Sequence, residues 1–269
     1  MGSSRKLYVI DNKELDRATN LSNIIKIFSD SITNLDYEVV SDQTDEFNIS
    51  NRLKFKVVLR RSILMFQYGH RRRKALKLNL AQTTIDGVKD LVRIFLNVIN
   101  TQIMYEKIKK EMYLSQKHIY CWRNQIQNKI SFSIISENDL CLMGNDNQSL
   151  DKLLVDIDSI DLCVFSHSVE VKHLMLDNII KEISQNSIVY RKIISNGTSG
   201  YTISLSLCKH FIEILSKFPE LNLLTPDFLI FALGLEIDKY LQKDIETKFI
   251  YPSDFIHLSG SKFKSELEN

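Results

Sequence analysis

Glycine and proline are scarce in this 269-residue chain, with eight and three residues respectively, which excludes collagen-like, linker-type and low-complexity organisations. Cysteine is sparse as well. Cys121, Cys141, Cys163 and Cys208 stand far apart without a CxxC pair, so buried reduced thiols are expected rather than a zinc knuckle or a disulfide framework. Long apolar runs are missing: the most apolar helical stretch, Val88 to Met104, is interrupted by Asp90, Arg93 and Asn97 and falls short of the ~20 residues that a membrane span needs. The N-terminus has no apolar run of signal-peptide length, and Lys6 stands where a myristoylation pattern wants Ser or Thr. A cytoplasmic protein without membrane contact is the expectation. Charge of one sign is also lacking overall, since 35 Lys and Arg face 33 Asp and Glu for a net charge of +2.

What is present is an ordinary globular composition, 44% hydrophobic and 25% charged, in a length suited to one large domain or two of about 130 residues. Residues 6–10 (KLYVI) predict a strand, followed by a helix from about Leu15 with apolar residues at three- and four-residue spacing. Residues 52–60, 62–68 and 75–80 read as three strands, the first alternating Arg52, Lys54 and Lys56 with Leu53, Phe55 and Val57. Thr84 is a candidate N-cap for a long helix striped by Val88, Leu91, Val92, Phe95, Val98, Ile99 and Ile103, continuing toward Ile126.

Beyond a boundary placed at 129/130, SFSII (131–135) predicts a strand, Leu150 to Ile160 a short helix and Asp161 to Phe165 a buried strand. Ile179, Ile180 and Ile183 predict a helix, and 187–194 a strand. Helices over 204–218 and from Thr225 close the chain, the latter with Pro226 at its first helical position. The fold expected is α/β or α+β: a small antiparallel sheet with a long helix (1–129), then a second α/β part ending in helices (130–269).

Between Glu46 and Asp86 there is no acidic residue, whereas Arg52, Lys54, Lys56, Arg60, Arg61, Arg71, Arg72, Arg73, Lys74 and Lys77 supply ten positive charges. The rest of the chain is therefore net negative. A one-sided basic surface attracts polyanions through counterion release, so these ten residues are the candidate nucleic-acid contacts. They also suit an exposed sheet face kept soluble, or an acidic face of the other half as partner.

The segment from Asp161 to His173 supports two readings. With strands on either side of Ser166–Ser168, an acid followed by Glu-x-Lys resembles the PD-(D/E)xK nucleases. That resemblance implies Mg²⁺ held by Asp161 and Glu170, with Lys172 orienting the attacking water. With a loop over 166–173 and a helix after it, the order of elements resembles the sensor-plus-AAA+ architecture of sigma-54-dependent transcription activators. In that likeness residues 52–112 are similar to the closing half of a GAF- or PAS-type sensor, and Ser166-His-Ser-Val-Glu-Val-Lys172-His173 stands at the phosphate loop. Only Lys172 survives there and the glycines that cradle phosphate are absent, so the resemblance implies a degenerate relative that does not hydrolyse ATP and acts by binding its partners.

Six histidines include no pair spaced for a metal on one helix face, and no G-x-S-x-G elbow occurs. The expectation is a non-catalytic regulatory protein without cofactor. It would bind nucleic acid or the transcription apparatus through the basic stretch and form a homodimer through the long helix. The alternatives are a Mg²⁺-dependent nuclease and a structural or partner-binding protein of a virus or mobile element.

Overall fold

The computed structural model describes residues 4–11, 18–32, 35–41, 50–75, 80–142, 160–165, 179–184, 187–190, 199–243, 245–250 and 255–257. These form a mixed α/β fold around one eight-stranded sheet. Ten strands are described: β1 (Arg5–Ile10), β2 (Asp36–Val40), β3 (Phe132–Glu137), β4 (Leu140–Leu142), β5 (Leu162–Val164), β6 (Ile179–Ser184), β7 (Ser187–Tyr190), β8 (Gly200–Ser204), β9 (Thr247–Ile250) and β10 (Phe255–His257). The helices are α1 (Ala18–Ser31), α2 (Asn51–Ala75), α3 (Leu80–Ile99), α4 (Thr101–Gln127), α5 (Leu205–Lys217) and α6 (Pro226–Leu241), with a 3-10 turn at Pro219–Leu223.

The sheet order is β2-β1-β3-β8-β5-β9-β7-β6, while β4 and β10 pair separately. β1 lies parallel to both β2 and β3, and β8 is inserted antiparallel between β3 and β5. Strands on either side of the expected 129/130 boundary are therefore direct neighbours: Tyr8 stands beside Ile135 and Val9 beside Ser136. The sheet is mixed rather than small and antiparallel.

Alternation along the strands supplies two cores. Leu7, Val9, Ile134, Cys163 and Phe165 face α1, where Ile24, Phe28 and Ile32 cover them. Tyr8, Ile135, Leu162, Val164, Tyr201 and Ile203 face the other way, onto Trp122 of α4, Phe211 of α5 and Leu233 of α6. Gly200 at the start of β8 lets the Phe165 ring lie where a Cβ would overlap it. Cys121, Cys163 and Cys208 are buried free thiols, as the spacing predicts. Burial pushes Cys163 up to about 12. No helix among the described residues is long and apolar enough to cross a membrane.

Residues 52–75 correct the expected strands over 52–60 and 62–68, for they are one helix, while residues 76–79 of the third lie outside the described residues. The positions of α2 that turn inward, Val58, Arg61, Ser62, Met65, Tyr68, Gly69 and Arg72, recur at three and four, and several of them are polar or glycine. The alternating apolar residues Leu53 and Phe55 point outward instead. The sheet expected of a sensor-type half is thus not formed by these residues. Ile179, Ile180 and Ile183 correct a second expectation, since they lie on strand β6 against β7. The long helix begins at Leu80 and is two helices, broken at Asn100, whose side-chain amide donates to Leu96 O at 3.1 Å. Residues 150–159 and 166–173, with their expected short helix and phosphate-loop position, lie outside the described residues.

Arg61 is buried where α2 meets α4, and the Glu111 carboxylate pairs with its guanidinium. Burial pulls the Arg61 guanidinium down from its ordinary value, and Glu111 opposes that pull. Removing one partner of such a pair strands the other charge in a low-dielectric site. Glu111→Ala is expected to cost about 3 kcal/mol in urea unfolding. Glu220→Ala, which frees the exposed Arg60, should cost below about 1 kcal/mol.

Candidate functional site

In an open α/β sheet, connections that depart in opposite directions from neighbouring parallel strands leave a crevice at the carboxyl ends of those strands. Here β1 is followed by β2 on one side and flanked by β3 on the other, so the corresponding position is the end of the sheet beyond Ile10 and Glu137. Asp11 and the sequence Glu137-Asn138-Asp139 stand at that edge. The backbone fixes them there. Asn138 N–H donates to Ile10 O at 3.0 Å, Glu137 N–H to Ser199 O at 2.8 Å, and Asp11 N–H to Val40 O at 3.0 Å.

The side chains knit the two strand ends together. Asn138 Nδ2 donates to Asp11 Oδ1 at 2.9 Å, and Lys117 Nζ of α4 donates to Asp11 O at 2.7 Å. From α1, Asn20 Nδ2 donates to the carbonyls of Asn138 and Leu140 at 2.8 and 2.7 Å, holding the turn after β3. Glu137, Asn138 and Asp139 are all buried. Asn138 is 1% exposed, and its Oδ1 has no hydrogen-bond partner among the described residues. Such an acceptor costs desolvation without return in this state.

Behind Glu137 runs a chain of polar groups through the core. Trp122 Nε1 donates to Tyr201 Oη at 3.1 Å, and Tyr201 Oη lies 2.8 Å from His118 Nδ1. Indole can only donate, so the Tyr201 oxygen accepts from Trp122 while sharing a second hydrogen bond with His118 Nδ1. His118 Nε2 in turn lies 3.3 Å from Glu137 Oε1. Burial raises the Tyr201 phenol far above its ordinary value, so the hydroxyl stays protonated. The chain sets the orientation of Glu137 from α4 and β8.

The basic residues singled out in the sequence are placed differently. Arg60 pairs with Glu220 at 3.2 Å, Arg61 with Glu111, and Arg71 with Glu236 at 3.1 Å. Tyr68 Oη also donates to Glu236, at 2.8 Å. Arg72 lies over the Phe228 ring at 5.2 Å, in the field of Asp227. Lys54 Nζ donates to Gln102 Oε1 at 3.2 Å, while Arg52 and Lys56 are exposed. Arg73 and Lys74 lie in the last turn of α2, and Lys77 lies outside the described residues. One helix therefore carries nine of the ten, and acids of the carboxy-terminal half take up several.

Asp161 sits at the opposite edge of the sheet, before β5. Its Oδ1 accepts from Ser204 Oγ, the cap of α5, at 2.9 Å. Glu170 and Lys172 lie outside the described residues, as do Asp151, Asp156 and Asp158. Among the described residues, no three His, Cys, Asp or Glu side chains are grouped to hold a metal. Sequence reasoning missed Asp11, His118, Glu137, Asn138 and Asp139. The available signal was an apolar strand running directly into an acid–amide–acid triplet.

Tyr201→Phe leaves both Trp122 Nε1 and His118 Nδ1 without the shared hydroxyl. It is expected to cost about 2 kcal/mol by denaturant unfolding, the penalty for stranding buried polar groups. A cost below about 0.5 kcal/mol contradicts a hydroxyl shared by those two groups. In comparisons with known proteins, the chain matches no protein-family model and no curated protein sequence.

Proposed function

We propose that the chain binds a nucleotide-activated small molecule at the carboxyl edge of β1 and β3 and acts as a group-transfer enzyme. The single observation that carries this reading is the Asp11–Asn138 contact at the switch point of the sheet, with Asn138 Oδ1 left as an unpartnered buried acceptor. Crevices of this topology bind nucleotides because strand ends and the loops beyond them converge there. Carboxylates and amides pair with vicinal hydroxyls, and one or two carboxylates suffice to hold Mg²⁺ when phosphates supply the other ligands.

A nucleoside-diphosphate sugar presents both the hydroxyls and the phosphates. The chemistry of such a donor is transfer. An acceptor hydroxyl oxygen bonds to the sugar C1 while the diphosphate departs with the electrons of the broken C1–O bond. The hydroxyl's proton passes to an edge carboxylate. Asp139 and Asp11 are the ligand-contacting groups in this reading, and Glu137 is a positioning residue held by His118.

Polyanion binding by the basic stretch has less support, because Arg60, Arg61 and Arg71 already hold carboxylates. A nuclease centred on Asp161 has less support too, since that carboxylate is engaged with the cap of α5.

Calorimetric titration with nucleoside diphosphates in Mg²⁺ or Mn²⁺ tests the proposal. Saturable binding is expected, weakened at least tenfold by Asp139→Asn, with an unchanged circular dichroism spectrum. Absence of nucleotide binding, or equal affinity in the variant, defeats it. Tight, steeply salt-dependent binding of DNA in its place returns the argument to the basic helix.

A further inference from the structure

The apolar stripe of α3 faces outward. Ile85, Val88, Val92, Phe95 and Ile99 are each more than half exposed. Leu91 and Leu96 flank them at 56% and 51%, and Ile103, in the first turn of α4, extends the same apolar surface. Scattered surface apolar residues need no explanation, but a contiguous stripe of this size does.

Its spacing says what fits it. From Ile85 the steps are three, four, three and four, which is the a/d pattern of a two-helix seam over about 21 Å of helix. The a positions, Ile85, Val92 and Ile99, and the d positions, Val88 and Phe95, are all apolar, so the seam carries no polar break. The charges stay off the seam. Lys89 pairs with Asp86 at 3.4 Å and Arg93 with Asp90 at 3.5 Å, both within α3 itself. A partner with a charged face would leave those ions nothing to meet, whereas an identical stripe meets apolar with apolar.

The area also agrees. Eight large side chains more than half exposed present on the order of 800 Å², the share that each partner contributes to a standard stable interface. We propose that α3 is the contact of a homodimer, two copies packing seam to seam about a two-fold axis. The proposal is independent of the nucleotide site, which lies at the sheet's carboxyl edge.

Sedimentation velocity from 1 to 50 µM tests it, with Val92→Glu/Phe95→Glu as the variant. Both replaced residues are exposed in the single chain, so the variant monomer keeps its fold and its circular dichroism spectrum. The wild type is expected to sediment at twice the chain mass and the variant at the chain mass. A wild type that stays monomeric throughout overturns the proposal, including one that floats with phosphatidylglycerol vesicles, as does a variant that remains dimeric. Val92→Leu/Phe95→Leu, which keeps the seam apolar, should stay dimeric, and its dissociation would equally count against the seam.

Discussion

The parallel pairing of β1 with β3 is the constraint on which the rest depends. It brings residues 5–10 beside residues 132–137 across more than a hundred positions of chain, and the chain between them lays α1 on one face of the sheet and α4 on the other. The register puts Ile10 beside Glu137 and so sets Asp11 against Asn138. Parallel neighbours need a crossover, and here the crossover is α2, α3 and α4 rather than a single helix. α4 does the covering: Trp122 enters the core, while His118 and Lys117 of the same helix reach the strand ends.

From that geometry the division of labour follows. The groups at the strand ends divide into those fixed by the core and those that end at the sheet's carboxyl edge. Glu137 is restrained through His118, Tyr201 and Trp122, whereas Asn138 ties Asp11 on one side of its amide and keeps an acceptor unused on the other. On the proposed reading, the open acceptor of Asn138 beside the edge carboxylates is what a ligand would satisfy. Three cations of α2, Arg61, Arg71 and Arg60, tie that helix to α4, to α6 and to the turn between α5 and α6 through Glu111, Glu236 and Glu220.

The sequence made some elements legible and hid others for physical reasons. β1, β3 and the last two helices carry apolar patterns of the correct period, and Pro226 marks the start of α6 as expected. α2 was hidden because its buried face includes Arg61, Ser62 and Gly69, while Leu53 and Phe55 imitate a strand from the solvent side. Ile179 to Ser184 combines helix-compatible spacing with β-branched residues, and tertiary pairing with β7 decides for strand. The candidate site was hard to read because its parts are distant in sequence: Asp11 follows β1, His118 reads as one more core histidine, and only the triplet Glu137-Asn138-Asp139 is contiguous. The β1–β3 register sets Asp11 against Asn138, and α4 brings His118 to Glu137.

The most direct test of the central claim is side-chain amide NMR at Asn138 during titration with a nucleoside diphosphate and Mg²⁺. The account predicts a saturable shift of the Asn138 Nδ2–H₂ signals, together with the Asp11 and Asp139 backbone amides, while the α2 amides stay in place. Shifts confined to α2 with Asn138 unmoved would contradict it.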